Sequence, residues 1–528
     1  MRILTTGRAA LVAGAALALA GGVSAYAQAP VKGGTLNYAV QGDTSTYDCH
    51  AASSFSNIHY LAPHFSVLAK FDPKEYPKIV PDVAESWTVS DDGLTYTFKI
   101  RDGVKFHDGS VLTAKDVKAT YERIWKPGPG VVSVRSGLFD DLTAIETPDA
   151  KTVVFRIKAP NAGMLSNFAS PWNCLYSAAK LEADPLFPTK TIMGTGPFVF
   201  VEHVAGSHWV GKRFDDYFRK GLPYLDGFRA QAMSATATVN ALAGGQIQAE
   251  FRGFAPADAA RLKTARGEQI GFAEGEWLAH FFFSFNGDKK PFDDIRVRRA
   301  LTLAVDRWGG AAPMSRITFL KFVGGLMRPG SDMALRGDAL ADLPGFSRDI
   351  KASREEAKRL LKEAGVPNLS FKLTNRVTAP FIPLGLFLID QWRQIGVTVE
   401  HQQLDTAQWL AVRRSGNFDV VVDSQAEWND DPSVQLNRYL SMDKTDGNVS
   451  RYTDRKIDDM YDQQRLALDP KKREQIVVEL QRYLIEQVYS APGFWSNRNV
   501  ALDTKVNGWI NLPSHMLNQD LAEIWLKP

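Results

Sequence analysis

The stretch Pro81–Tyr121, PDVAESWTVSDDGLTYTFKIRDGVKFHDGSVLTAKDVKATY, decides how the rest of the chain is read. Asp91-Asp92-Gly93 supplies turn chemistry, because Asp can bond its own backbone and Gly accepts positive φ. Leu94, Tyr96, Phe98 and Ile100 then alternate with Thr95, Thr97 and Lys99, the period of a strand buried on one face. A second turn, His107-Asp108-Gly109, leads to Thr113, an N-cap for a helix carrying Val117 and Tyr121. Asp116, three residues on, favours the positive end of that helix. The stretch therefore predicts a hairpin, a loop and a helix.

Outward from it, the N-terminus has the form of an export signal. Arg2 and Arg8 precede an apolar run from Ala9 to about Val23, and Ala25-Tyr26-Ala27 has the A-x-A form of a cleavage site. The run is short for a membrane span, and Asp390 interrupts the apolar stretch from Phe381, so no direct membrane insertion is expected. No Cys lies near the site, so a lipid anchor is not expected; residues 1–27 read as a signal peptide and the protein as periplasmic. The formal net charge is +3, and loss of Arg2 and Arg8 brings it nearer zero, which argues against nucleic acid. A chain of 528 residues holds several cores, with about three domains as the expectation. Twelve Trp are generous; most are expected in cores, and some surplus suits a solute cleft.

Two cysteines, Cys49 and Cys174, leave three readings open. They could form a disulfide in an oxidising compartment, stay as buried thiols, or join His50, His59 and His64 around a metal. The histidine spacings match no standard metal motif.

Further along, Lys32 to Tyr38 reads as a first strand. Leu142–Glu146 and Thr152–Ile157 flank a Pro148-Asp149-Ala150 turn, giving a second hairpin. Met193-Gly194-Thr195-Gly196-Pro197-Phe198 lacks the Lys-Ser/Thr of a phosphate loop and reads as a crossover into a strand. His280 to Asn286 is an aromatic strand. Ser353 to Glu356 is read as a capping box, ahead of a helix bearing Ala357, Leu360, Leu361 and Ala364. A helix from Leu384 to Ile395 precedes the strand Val397–Glu400, an alternation of α/β type. Residues from Pro470 to Tyr489 form an amphipathic helix.

The order and wording of these segments resemble the peptide/nickel/opine family of extracytoplasmic solute-binding proteins, which serve ABC importers. The resemblance is carried by the opening stretch, G-G-T-L at Gly33, G-T-G-P-F at Gly194 and P-F-x-D-x-R-V-R-R-A-L at Pro291. It implies an α/β, periplasmic-binding-protein-like type II fold of two lobes with an extra domain. Residues 28–70, 191–285 and 491–528 would form the first domain, lobe I. Residues 71–190 would extend it as a second domain, and 286–490 would form the third, lobe II. His107 and Asp108 are structural in that family. The implied function is a monomeric periplasmic receptor, without cofactor or catalysis, that hands a peptide or other small organic solute to a permease/ATPase complex. A periplasmic hydrolase is the rival, but G-x-S-x-G, H-E-x-x-H and S-x-x-K with its companions are absent. A ligand sensor on the same fold is the third reading.

The resemblance also implies where solute binds. The segment after Gly416-Asn417-Phe418-Asp419 lines the family's cleft, here bringing Gln425, Trp428, Asn429, Asp430 and Asp431, with Trp409 just before it. Tyr47, Asp48, Trp172 and Asn173 fall where the opposing lobe approaches, and Trp495 is a further candidate. Peptide-binding members hold the peptide's ammonium with an Asp four residues before the Pro that ends this loop. Here Trp428 stands at that position before Pro432, and Asp430 and Asp431 are displaced along the loop. The expectation is a receptor without the usual ammonium clamp, preferring a larger, aromatic or modified solute.

Overall fold

The computed structural model describes residues 29–528; the expected signal peptide, residues 1–27, and the cleavage site after Ala27 lie outside them. The opening stretch folds as expected. Strands Ala84–Val89 and Thr95–Ile100 pair antiparallel, Thr152–Ile157 adds beside the second, and Leu142–Asp149 closes a four-stranded sheet. Helix Ala114–Trp125 packs on it through Val117, Tyr121 and Ile124, all buried with Phe98 and Phe155 in one core. Thr113 and Asp116 form the capping box that fixes where the helix starts.

The larger sheet is continuous through the molecule. On one side, Thr35–Gln41 runs parallel to Gly227–Met233 and to Ala249–Glu250. On the other, Ser370–Arg376 lies between Thr398–Leu404 and Val420–Ala426, parallel to both. Two long antiparallel strands, Ile270–Phe285 and Ser490–Asp503, join the two sides. Helices cover the parallel strands of each side, and each side has its own core, around Leu36, Tyr38 and Phe228 in one and Phe283, Leu373 and Trp392 in the other. The result is two lobes connected through a pair of strands.

The register of that pair slips between Trp277–Ser496 and His280–Trp495. There the Leu278 amide donates to Pro513 O (2.7 Å) in one lobe, and Leu278 O accepts from the Glu427 amide (3.2 Å) in the other. The slip leaves Leu278 free to bond both lobes at the point where the strands cross between them.

One detail of the sequence reading changes. Helix Ile350–Glu363 starts a turn earlier than the Ser353 capping box required: Asp349 caps it, accepting from the Ala352 amide at 2.9 Å. Asp caps as well as Ser, and the earlier start gains a further turn of backbone bonds; Ser353 lies inside and bonds Asp349 O. At the crossover, a Cβ on Gly196 would sit 2.4 Å from the backbone of His64 and Phe65, so glycine there permits close packing.

Cys49 and Cys174 form a disulfide, with Cα atoms 6.0 Å apart. His50 instead bonds Cys174 O and Arg123, His59 bonds His515 O, and His64 bonds Phe198 O and the Trp209 indole. This resolves the three cysteine readings against the metal arrangement. Among the described residues no helix is long and apolar enough to cross a membrane.

Candidate functional site

The lobes meet over two connected compartments that share Ser53, Ala426 and Met516 in their walls. The smaller, about 360 Å³, is built from Phe55, Arg252 and Trp277 of one lobe and Arg376, Phe381 and Gln425 of the other. Its wall contains no carboxylate. The larger, about 790 Å³, lies between Arg135, Asn161 and Trp172 on one side and Glu427, Trp428 and Tyr461 on the other. Both volumes are within the range of small-molecule sites.

Strand ends place the second lobe's groups. Arg376 ends strand Ser370–Arg376, while Gln425 and Glu427 lie at and just past the end of Val420–Ala426. Side chains at the carboxyl ends of parallel strands project into the crevice in folds of this kind. Arg252 and Arg135 come from irregular segments of the opposite lobe.

Each arginine is oriented by aromatic rings. The Arg252 guanidinium lies 4.3 Å from the Phe55 centroid, Arg376 lies 4.1 Å from Phe381 and 4.4 Å from Trp409, and Arg135 lies 4.4 Å from Trp172. Such contacts hold the cation over a ring face while leaving its edge free. Among the described residues, buried Arg252 Nε, Arg376 Nε, Arg135 Nη1 and Gln425 Oε1 have no hydrogen-bond partner. Three of these four atoms are donors, so the cleft asks chiefly for acceptors.

The charges agree. Burial pulls the Arg135 guanidinium down to about 9, against the attraction of Glu427. Arg252 and Arg376 are also lowered by burial, opposed by Glu250 and Asp423 respectively. Asp423 is itself shared, at 3.6 Å from Arg376 and 3.3 Å from both Arg413 and Arg438. Burial raises the Glu427 carboxyl to about 7, opposed by the Arg438 charge, a Gln425 hydrogen bond and Arg135. His515, beside Arg252, is held neutral by burial and by Arg252 and Arg498, and its Nδ1 accepts from the Trp277 indole at 2.9 Å.

Of the residues anticipated from sequence, Trp172, Gln425 and Trp428 line these compartments. Trp409 lies behind the wall, beneath Arg376. Tyr47 bonds His203 at 2.8 Å and packs on Trp209, outside the compartments. Asp48 is buried in an ion pair with Arg123 at 2.6 Å. Asn173 bonds Asn167 O at 2.9 Å. Trp495 donates to Gly325 O at 3.0 Å and stacks on His280. Asn429 is buried and accepts from the Asp431 amide. Asp430 receives Arg328 through Nε and Nη2 (2.6 Å), and Asp431 pairs with Arg473 at 2.8 Å. Both aspartates are therefore buried and neutralised inside the protein, not turned to water.

Sequence reading missed Arg135, Arg252, Arg376 and Glu427. Glu427 stood inside the segment singled out, next to Trp428. The arginines carried no local signal, since isolated arginines near loops are common on solvated surfaces.

Comparison with known proteins gives the family. Residues 78–447 match the model for bacterial extracellular solute-binding proteins, family 5 Middle, and the chain belongs to that family. Di/tripeptide-binding protein 1 of Pseudomonas aeruginosa (strain UCBPP-PA14) is 27% identical over 465 residues, covering 81% of this chain and 82% of the relative. Glutathione-binding protein GsiB of Escherichia coli (strain K12) is 30% identical over 335 residues, 62% of each chain. Among solved structures, the binding protein AgaA from A. tumefaciens R10 with agropinic acid matches with TM-score 0.76 at 26% identity, over 94% of this chain and 99% of that one. DppA from Helicobacter pylori with the peptide STSA matches with TM-score 0.78 at 21% identity, over the same shares. The fold is the two-lobed type II fold of these proteins, and the chain is a solute-binding receptor of that family.

Proposed function

We propose that this receptor closes over a small, carboxylate-bearing organic solute in the periplasm and presents it, as a monomer, to an ABC importer. The three domains divide at 70/71, 190/191, 285/286 and 490/491, so that solute lies between lobe I with its extension and lobe II. One observation carries the reading: Arg252 and Arg376 come from opposite lobes to a compartment with no carboxylate in its wall, each with a buried, unpartnered Nε. A carboxylate there takes charge-assisted hydrogen bonds from both lobes. The relatives' names agree in chemistry, since they cover peptides and an acid. With Asp430 and Asp431 engaged by Arg328 and Arg473, an ammonium group has no carboxylate at those positions.

The test is calorimetry and thermal shift of purified protein against a library of di- to pentapeptides and other organic acids, each with its C-terminal amide. Acids should raise the melting temperature, as ligands of the native state do. Amides should bind at least tenfold more weakly, and Arg376→Gln should remove that difference. Equal binding of acids and amides would refute the proposal.

A further inference from the structure

The larger compartment poses a separate question. Arg135, from the segment after helix Ala114–Trp125, has its guanidinium on Trp172, and Nη2 donates to Ala52 O at 2.7 Å. Its Nη1 is buried without a partner, and no carboxylate forms an ion pair with it among the described residues. Glu427 lines the opposite wall; its carboxylate accepts one long bond, from Gln425 Nε2 at 3.3 Å, and among the described residues no cation lies within ion-pair distance. The other charged groups of this compartment are paired or at the rim: Asp141 takes Lys158 and Arg465, Asp462 lies 3.9 Å from Arg465, and Lys444 and Asp140 are exposed. Arg135 and Glu427 thus line the same compartment from different lobes, with no hydrogen bond or ion pair joining them among the described residues.

We infer that Arg135 and Glu427 are specificity-determining residues that hold a neutral amide of the solute between them, its C=O on Arg135 Nη1 and its N–H on Glu427. An ammonium at Glu427 would be repelled by Arg135 and by Arg438, whose charges both reach that carboxylate. A carboxylate at Arg135 would be repelled by Glu427. A dipole satisfies both walls. A trans amide is planar with N–H and C=O directed oppositely, matching a donor and an acceptor on opposing walls. Since the compartments communicate past Ser53, Ala426 and Met516, an amide here and a carboxylate between Arg252 and Arg376 belong to one solute. The solute class is then an amide-linked organic acid spanning both compartments. This rests on the reading of the smaller compartment given above.

The test uses the tightest ligand of a tripeptide library and its depsipeptide analogues, in which each amide in turn becomes an ester without the N–H. Binding is measured by calorimetry to wild type, Glu427→Ala, Glu427→Gln, Arg135→Ala and Arg135→Lys, each checked by its melting curve. One ester should bind about tenfold more weakly to wild type, the scale of a buried hydrogen bond to a charged group. That discrimination should vanish in Glu427→Ala. Arg135→Ala should weaken all amide ligands by about tenfold, and Arg135→Lys should recover part of it. Esters binding within about twofold of the amides to wild type would overturn the inference. So would loss of affinity on N-acetylation that disappears in Glu427→Ala, which would identify an ammonium instead. If amidating the carboxylate costs nothing while ester discrimination persists, the carboxylate reading fails and the amide site stands. If no library member binds, both fail.

Discussion

Asp430→Asn separates the two roles that sequence alone could assign to that residue. In the structure its carboxylate receives Arg328 Nε at 3.1 Å on each oxygen and Nη2 at 2.6 Å, with the side chains 10% and 7% exposed. Removing one partner of a buried pair costs about 3–5 kcal/mol, because the other charge is left without compensation. Here Glu276 keeps a 2.6 Å bond from Arg328 Nη1, and asparagine still offers one acceptor. The lower end, about 3 kcal/mol, is therefore expected. With a urea dependence of about 3 kcal/mol per molar, the unfolding midpoint of the transition that includes the second lobe should fall by about 1 M. Tryptophan fluorescence across a urea series reads this directly. Calorimetry with a free and an N-acetylated peptide completes the test: the ratio of their affinities should match that of wild type. A midpoint shifted by less than about 0.3 M, together with selective loss of the free peptide, would show that Asp430 serves solute and would refute the reasoning.

Three further outcomes are expected. The Cys49–Cys174 bridge closes a loop with a sequence separation of 125, for which chain entropy gives about 5 kcal/mol, so unfolding midpoints with and without reductant should differ accordingly. Burial lowers His50, His64 and His280 to about 3 and His59 and His107 to about 4, against an ordinary 6.5. Their contribution is complete above about pH 6.5 and is lost as pH falls, each group steepening the decline by up to about 1.4 kcal/mol per pH unit. Glu250 and Glu427, raised by burial to about 7, act oppositely, losing their contribution as pH rises through 7; the five histidines outweigh these two carboxyls, so melting temperature should climb from acid pH and level off near neutrality. Gly196→Ala should destabilise by about 1–3 kcal/mol, the cost of overpacking, because its Cβ would meet backbone that has no room to give; an unchanged melting curve would contradict that packing.

Much of the fold was legible in the chain because its signals are local. The alternation at Leu94–Ile100, the Thr113 cap and the turn at Asp91–Gly93 each specify their own few residues, and the structure follows them. The Ser353 cap was misplaced because Asp349 carries an equal signal one turn away. The cleft was less legible for a physical reason. Arg252, Arg376 and Arg135 meet solute space only after residues more than a hundred positions apart are brought together, and nothing local distinguishes a guanidinium waiting for a ligand from one in solvent. Asp430 and Asp431 show the converse: their partners Arg328 and Arg473 lie 102 and 42 residues away, so their neutralisation is invisible in the loop that carries them.

The proposed contacts of these arginines also tie closure to solute. In the proposed closure Arg252 and Arg376 enter one compartment whose wall holds no carboxylate, and Asp423, 3.6 Å from Arg376, is shared with Arg413 and Arg438 and so compensates only part of that charge. Without solute this opposes closure, since both desolvation and repulsion act on the closed form. A bound carboxylate reverses the sign of the term, because it meets donors from both lobes at once. Hydrogen bonds to charged groups contribute about 1.5–3 kcal/mol each, so two or three such bonds give about 5 kcal/mol. That is close to the roughly 5.5 kcal/mol that moves a two-state equilibrium from 1:99 to 99:1. Selectivity and closure are then one property: a solute that fails to satisfy both guanidiniums leaves the lobes apart, whatever its other contacts.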